Sequence, residues 1–449
     1  MSLKSFRLRN LDALVVCIGL VFASISSASA GFIRDAEVEA LLHDYTSPLL
    51  KESGLVIDNV EIGIIADERI NAYVSGGQNI FVYSGLITEA EHPNMVIGVM
   101  AHEIGHITGG HLARGKAARE KAGTPIIVGA ILGLGSLLAG APQVGMALIA
   151  GGQQVGLASY LTYSRAQEAS ADQVALQLLQ ETKQSPQGIM DLMDHLAGQE
   201  ILSEQRQDPY QRTHPMSRDR VNAYRSHAET SPYFNEKDNP NMQWRHDMAK
   251  AKLDGFIKHP QSVLRKYSDA SEPALYARAI AYHRLARTDE AISVLNELIS
   301  KHPKNPWFQE LKGQIYYETG AADKAVEPYQ KSLQLKPNQP LLMIGLASSL
   351  LASDQNYGGQ ARTLRAIEIL REATRLEETN LIAFSQLSKA YGHMNNIGMA
   401  EWALAENLAL RGDPSAIRHA NRAIDLLEPG QAERLRAQDI ADSEFGKKQ

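Results

Sequence analysis

Val99-Met100-Ala101-His102-Glu103-Ile104-Gly105-His106 is the stretch on which the fold turns. Two histidines four residues apart on a helix are rotated by only about 40 degrees relative to each other, so both imidazoles reach one ion from a single face. Glu103 stands beside them, where a carboxylate polarises the water on that ion. Five residues of this kind occur by accident in many chains. Here an apolar run from Met95 reads as a buried helix carrying them, and a further ligand candidate lies downstream. The expectation is a zincin-type metal helix; the bland alternative is two histidines that merely pack or cap.

A catalytic zinc takes three protein ligands and leaves one position open. His111 is five residues past His106, about 140 degrees around a helix, and points elsewhere unless the helix ends at Gly109-Gly110. The metzincin spacing would need a histidine at position 112, where Leu112 stands. Glu168 is the better third ligand. The helical pattern that continues through Val174, Leu178 and Leu179 puts Glu168 and Asp172 one turn apart on one face. Glu168 then ligates while Asp172 accepts the second ring N–H of a ligating histidine and fixes its tautomer. Taken alone, an acid pair at that spacing is usually a solvated face.

These residues, together with Thr213-His214-Pro215 and Arg220 five residues after the proline, resemble the HtpX and CaaX-prenyl-protease family of gluzincin metallopeptidases. The resemblance implies a zinc endopeptidase in which His102, His106 and Glu168 hold the ion and Glu103 is the base. It implies that Asn71-Ala72-Tyr73 and the following hairpin form the strand edge along which substrate lies, and that Gly85-Leu86 leads toward the active-site helix. His214 or Arg220 would support the oxyanion. His214 precedes a proline, which keeps it in an extended loop, so it has a second possible role: filling the open position and keeping the resting enzyme shut. A merely structural His214 is the third reading.

The first thirty residues read as an export signal. Lys4, Arg7 and Arg9 precede an apolar run from Leu14 to Ala23, and Ala28-Ser29-Ala30 supplies a small-x-small cleavage site. The run is shorter than the ~20 apolar residues that span a bilayer. Cys17, the single cysteine of the chain, lies inside it, so the mature protein neither needs nor risks disulfides in an oxidising compartment. Export to a bacterial periplasm is the reading. With that signal before it and repeats after it, the chain is similar to periplasmic members of the family that work in outer-membrane protein biogenesis. What the similarity implies is cleavage of misassembled or stalled outer-membrane β-barrel proteins, assistance in their assembly, and recruitment of the assembly machinery through the repeats.

From about residue 265 onward everything reads as short amphipathic helices. Ala291 and Ala325 lie 34 apart, as do Ala366 and Ala400, with about seven residues inserted near Asp354 to Gln360. Pro303 and Pro337 repeat the interval, and Trp307, Leu311, Gly313 and Tyr316 have the spacing of a tetratricopeptide helix pair. Such units cannot bury their apolar faces alone, so they stack into a curved surface that commonly holds a partner. Residues 122–164 contain no Asp, Glu, Lys, Arg or His. Three readings compete for them: helices buried against the protease core, an apolar surface that flaps over the cleft or touches clients or a membrane, and bilayer insertion. Gly129 and Gly133 would permit close helix contact.

Composition sets the frame. The chain has 449 residues, 44% hydrophobic and 21% charged, which excludes a wholly disordered or collagen-like protein. A net charge of -6, without basic blocks, argues against nucleic acid as a partner. The expected architecture is mainly α (α+β): signal peptide 1–30, zinc metallopeptidase domain with a small β-sheet over 31–264, tetratricopeptide solenoid over 265–430, polar tail 431–449. The competing function is a chaperone-like adaptor with a structural or latent zinc site. Peripheral membrane contact stays open.

Overall fold

The computed structural model describes residues 31–138, 142–197, 210, 213–215, 217–357 and 360–443. The segment read as a signal peptide, 1–30, lies outside them. A four-stranded sheet is built from β1 (Phe32–Ile33), β2 (Ile62–Ile65), β3 (Ala72–Ser75) and β4 (Asn79–Tyr83), in the order β1-β2-β4-β3. β2 and β4 run parallel; β1 pairs antiparallel with β2 and β3 with β4. The β3–β4 hairpin closes with Ser75 opposite Asn79 across Gly76 and Gly77. Those glycines have φ of +60° and +102°, a region that a Cβ disfavours. β4 alternates as a half-buried strand should: Ile80 and Val82 enter the core while Phe81 stacks on Tyr73 across the outer face.

Helix α1 (Ala36–Ser53) starts at Asp35, whose carboxylate accepts from the Glu37 and Val38 amides, and ends at Gly54 in the left-handed conformation. It buries Val38, Leu41, Leu42, Tyr45 and Leu49. α2 (Ser84–Glu89) leads into α3 (Pro93–Thr108), which is apolar nearly all round. Such a helix belongs in the middle of a core. Val96, Val99, Met100 and Ile104 are fully buried in one cluster with residues of the sheet, α1, α5 (Pro142–Glu181) and α6 (Gln187–Ala197).

α4 (His111–Leu138) and α5 form a long antiparallel pair that carries the uncharged segment. The glycine expectation holds at Gly129, where a Cβ would stand 2.9 Å from the Gly152 Cα. Burial against the protease core does not hold: Ile126, Ile127, Val128, Ile131, Leu132, Met146 and Val155 are exposed. The physical reason is the continuity of α4 and α5 beyond their bases, which carries these residues past the edge of the domain that could have covered them.

After α7 (Arg218–Ala228), α8 (Pro240–Ile257) and α9 (Pro260–Lys266), the chain is a succession of helix pairs: α10 (Glu272–Arg284) with α11 (Thr288–Lys301), α12 (Pro306–Glu318) with α13 (Ala322–Leu335), α14 (Pro340–Tyr357) with α15 (Gln360–Leu376), α16 (Leu381–His393) with α17 (Ile397–Leu410). The small residues Ala291, Ala325 and Ala366 are fully buried where paired helices approach. The insertion near residue 354 lengthens α14 to 18 residues, against 13 in α12 and α16. A fifth pair, α18 (Ala416–Leu426) and α19 (Ala432–Ala441), extends the stack into the segment read as a polar tail. Ala437 and Ile440 give α19 enough of an apolar face to dock.

The two halves are joined through buried charge. Lys252 on α8 is 1% exposed, with Asp35, Glu37 and Glu310 carboxylates at 2.8, 3.3 and 3.1 Å. Tyr276 on α10 donates to Glu37 at 2.8 Å. Arg34 reaches Glu377 at 2.9 Å.

Candidate metal centre

α3 presents His102 and His106 on one face, as the four-residue spacing requires. It ends at Thr108, and α4 restarts at His111 after Gly110 takes φ of +59°. The helix therefore does break where His111 needed it to break. His111 Nδ1 approaches His106 Nδ1 at 2.9 Å, leaving His106 Nε2 to face the centre. α5 crosses α3 at Gly105 and brings Glu168 and Asp172 alongside. His214, from the segment before α7, closes the remaining side.

The donor atoms converge. His102 Nε2 and His106 Nε2 are 3.0 Å apart; Glu168 oxygens lie 3.4 Å from each. His214 Nδ1 is 3.3 Å from His102 Nε2 and 3.2 Å from Glu168 Oε2. One donor atom from each of the four residues falls within 4.8 Å of the others. Ligands at about 2.0–2.1 Å in a tetrahedron have edges of about 3.3 Å, so this spacing suits one metal ion. Asp172 Oδ1 stands 2.9 Å from His102 Nδ1. Arg220 grips Asp172 with two hydrogen bonds of 2.7 and 2.8 Å and reaches Glu168 at 2.8 Å.

Protonation follows the same geometry. Burial pushes His106 down to about 2, which keeps it in the neutral, ligating form. Burial alone would raise Glu168, but the facing His214 and His102 hold it well below the usual carboxylate range. Burial lowers His102 less than Asp172 and Glu168 raise it, to about 9. A pocket that draws a proton onto His102 has negative charge in surplus, and a cation answers the same demand. Glu103 is 1% exposed, neither of its oxygens has a hydrogen-bond partner, and burial raises its pKa. His214 Nε2 is likewise buried without a hydrogen bond, 3.4 Å from Glu103 Oε1. Two orphaned polar groups facing one centre fit a site meant for metal, water and substrate.

Of the residues singled out from sequence, His102, Glu103, His106, Glu168, Asp172, His214 and Arg220 meet here. Ala72 and Tyr73 lie on β3, an edge strand of the sheet, and Asn71 immediately precedes it, buried, with Oδ1 lacking a partner. The sequence pattern does not single out Tyr210. Its ring lies on His214 with centroids 4.6 Å apart, and its amide donates to Ile70 O at 3.3 Å, so the His214 segment is fastened at the entrance of β3. Nothing in a lone tyrosine within a polar segment announces this.

Residues 34–228 match the model of Peptidase family M48, and residues 276–340 match a tetratricopeptide repeat model. The chain is 26% identical over 397 residues to the beta-barrel assembly-enhancing protease of Escherichia coli (strain K12), covering 86% of this chain and 78% of that one. It is 28% identical over 375 residues to a putative beta-barrel assembly-enhancing protease of Vibrio cholerae serotype O1, covering 80% and 73%. Metalloprotease LoiP of Escherichia coli (strain K12) is 30% identical over 152 residues, 34% of this chain and 56% of that one. Residues 34–228 are thus a metallopeptidase domain of family M48, borne on one chain with tetratricopeptide repeats.

Proposed function

We propose that the protein is a zinc-dependent endopeptidase of the bacterial periplasm that cleaves misassembled or stalled outer-membrane β-barrel proteins and assists their assembly, its repeats recruiting clients or the assembly machinery. The carrying observation is the convergence of His102, His106 and Glu168 beside a buried carboxylate, Glu103, that has no partner of its own. The names of the relatives support the client class.

His102, His106 and Glu168 would hold the ion; two imidazoles and a carboxylate are a usual set for catalytic zinc. When bound, zinc supplies Lewis acidity and lowers the pKa of a water toward ~7. Glu103 receives the proton that water loses and returns it to the leaving amine, a shuttle helped by its raised pKa. Asp172 holds the His102 ring through Nδ1, and Arg220 holds Asp172. The free edge of β3 aligns an extended peptide by strand addition. His214 lies among the donor atoms, and Tyr210 is hydrogen-bonded at the start of that edge. On this reading His214 fills the position water and substrate need, and the resting enzyme is closed.

Metal analysis and peptide cleavage test the reading together. Purified chain contains about one zinc, Glu168→Ala loses it, and Glu103→Gln keeps it while losing cleavage. Full biological activity of Glu103→Gln would remove proteolysis as the function. His214→Ala raises peptide cleavage; unchanged or lower activity would remove the closed resting state.

A further inference from the structure

The α4/α5 hairpin stands outside the mechanism. Its arms lack any charged side chain over 122–164, and they leave Ile127 60%, Ile131 64% and Met146 61% exposed. Isolated exposed apolar residues are ordinary, but a contiguous set on one projection marks a contact surface. The composition changes abruptly at its base. Residues 114–121 contain Arg114, Lys116, Arg119 and Lys121 against the single acid Glu120, and the returning arm regains charge with Arg165. The contact of Gly129 with Gly152 fixes the register of the two arms, and it sets Arg165 at the level of the basic residues of α4. An uncharged apolar projection thus rises from a basic collar, in a chain whose net charge is negative.

We propose that this hairpin seats the protein on an anionic lipid bilayer, its apolar arms lying inclined within one leaflet while the collar lies among lipid phosphates. Dimensions and composition favour this posture over a span. From residue 122 to 138 the first arm rises about 25 Å at 1.5 Å per residue, less than the ~30 Å hydrocarbon core. None of the described helices is long and apolar enough to cross a membrane. Gln153 and Gln154, exposed midway along the second arm, would reach the bilayer centre if the hairpin stood upright, so their amides favour arms inclined close to the headgroups. A binding surface for unfolded protein would explain the apolar arms but not the cationic collar.

The hairpin shares its helices with the metal centre. Glu168 is thirteen residues beyond Val155 on α5, about 20 Å along the axis, and His111 opens α4 beside His106. Seating the arms in lipid would hold the cleft just outside the headgroups. The proposal does not depend on catalysis, so it is tested in the Glu103→Gln background.

Residues 31–449 are floated with vesicles of phosphatidylethanolamine and phosphatidylglycerol, and with pure phosphatidylcholine vesicles. The expected result is co-flotation with the anionic vesicles, weakened by salt and much reduced on phosphatidylcholine. Ile127→Glu with Ile131→Glu abolishes it. Arg114→Ala, Lys121→Ala and Arg165→Ala together lower anionic partitioning on the order of 100-fold, from about fivefold per basic residue near the surface. Both residues of the first variant are exposed, so its unchanged melting temperature shows that the fold survives. The proposal is overturned if wild type ignores anionic vesicles, if Ile127→Glu with Ile131→Glu still floats, or if that variant instead loses only self-association or capture of unfolded β-barrel protein.

Discussion

Gly105 and Ala171 touch through their backbones: a Cβ built on Gly105 would stand 2.7 Å from the Ala171 carbonyl oxygen and 2.9 Å from its Cα. Gly105 sits inside the histidine pair of α3, and Ala171 sits between Glu168 and Asp172 on α5. This contact sets how far the carboxylates stand from the imidazoles.

Gly105→Val is therefore expected to push α5 away and open the Glu168 to His102 and His106 separations of 3.4 Å. Overpacking of this kind costs about 1–3 kcal/mol in stability. The larger effect falls on the ion, since a displaced ligand is a lost ligand: zinc affinity should drop at least tenfold. Competition with a chromophoric chelator measures it. Equal zinc affinity in Gly105→Val and wild type would show that the α3–α5 separation is not set here.

Arg220 joins both carboxylates, with two hydrogen bonds to Asp172 and a 2.8 Å approach to Glu168. Arg220→Ala leaves two buried acids facing each other without that cation, a change on the order of 3–5 kcal/mol. Arg220→Lys should recover little, because an ammonium cannot fork across both Asp172 oxygens. Thermal unfolding of the metal-free proteins separates the cases: a lysine variant as stable as wild type would mean that charge alone, not the fork, is what Asp172 requires.

Much of this centre was legible in the chain because helical spacing is rigid. His102 and His106 four apart, and Glu168 and Asp172 four apart, could face one point only if two helices crossed, and Gly105 marks where they do. The 34-residue interval made the repeats legible for a similar reason, since each unit repeats one packing problem. Tyr210 was not legible, because its role depends on where a loop returns. The exposure of Ile127 and Ile131 was not legible either: an apolar run reads alike whether it enters a core or leaves the domain. Lys252 was hidden for a third reason, as its three carboxylates come from Asp35, Glu37 and Glu310, remote in sequence.

Lys252→Met tests that junction. The methionine fills the space of the lysine stem but leaves Asp35, Glu37 and Glu310 together without their cation, and breaking a buried pair by removing one partner costs about 3–5 kcal/mol. Because the acids belong to α1, its cap and α12, the loss should loosen the repeats from the peptidase domain. Limited proteolysis is expected to release the two halves from Lys252→Met sooner than from wild type. An unchanged digestion pattern would place the junction elsewhere.

The same cluster should make stability depend on pH. Burial pushes the Glu310 carboxyl up, against the pull of Lys252, to about 7, and burial also raises Glu37. The folded protein thus keeps a proton that the unfolded chain, with glutamate near its ordinary 4.5, has already released. Stability from Glu310 is fully present below about pH 4.5 and is lost as pH rises through about 7. Lys252 is also raised, burial being outweighed by Asp35 and Glu310, but it titrates far above this window. Glu310→Gln carries a neutral amide throughout and removes the dependence. Between pH 5 and 8 the wild type should therefore lose on the order of 1–3 kcal/mol relative to Glu310→Gln. Taking the difference between the two proteins cancels the titrating groups that both share. Melting temperatures that run parallel across this range would mean that Glu310 is ionised in the folded protein at every pH tested, with Lys252 balancing it fully.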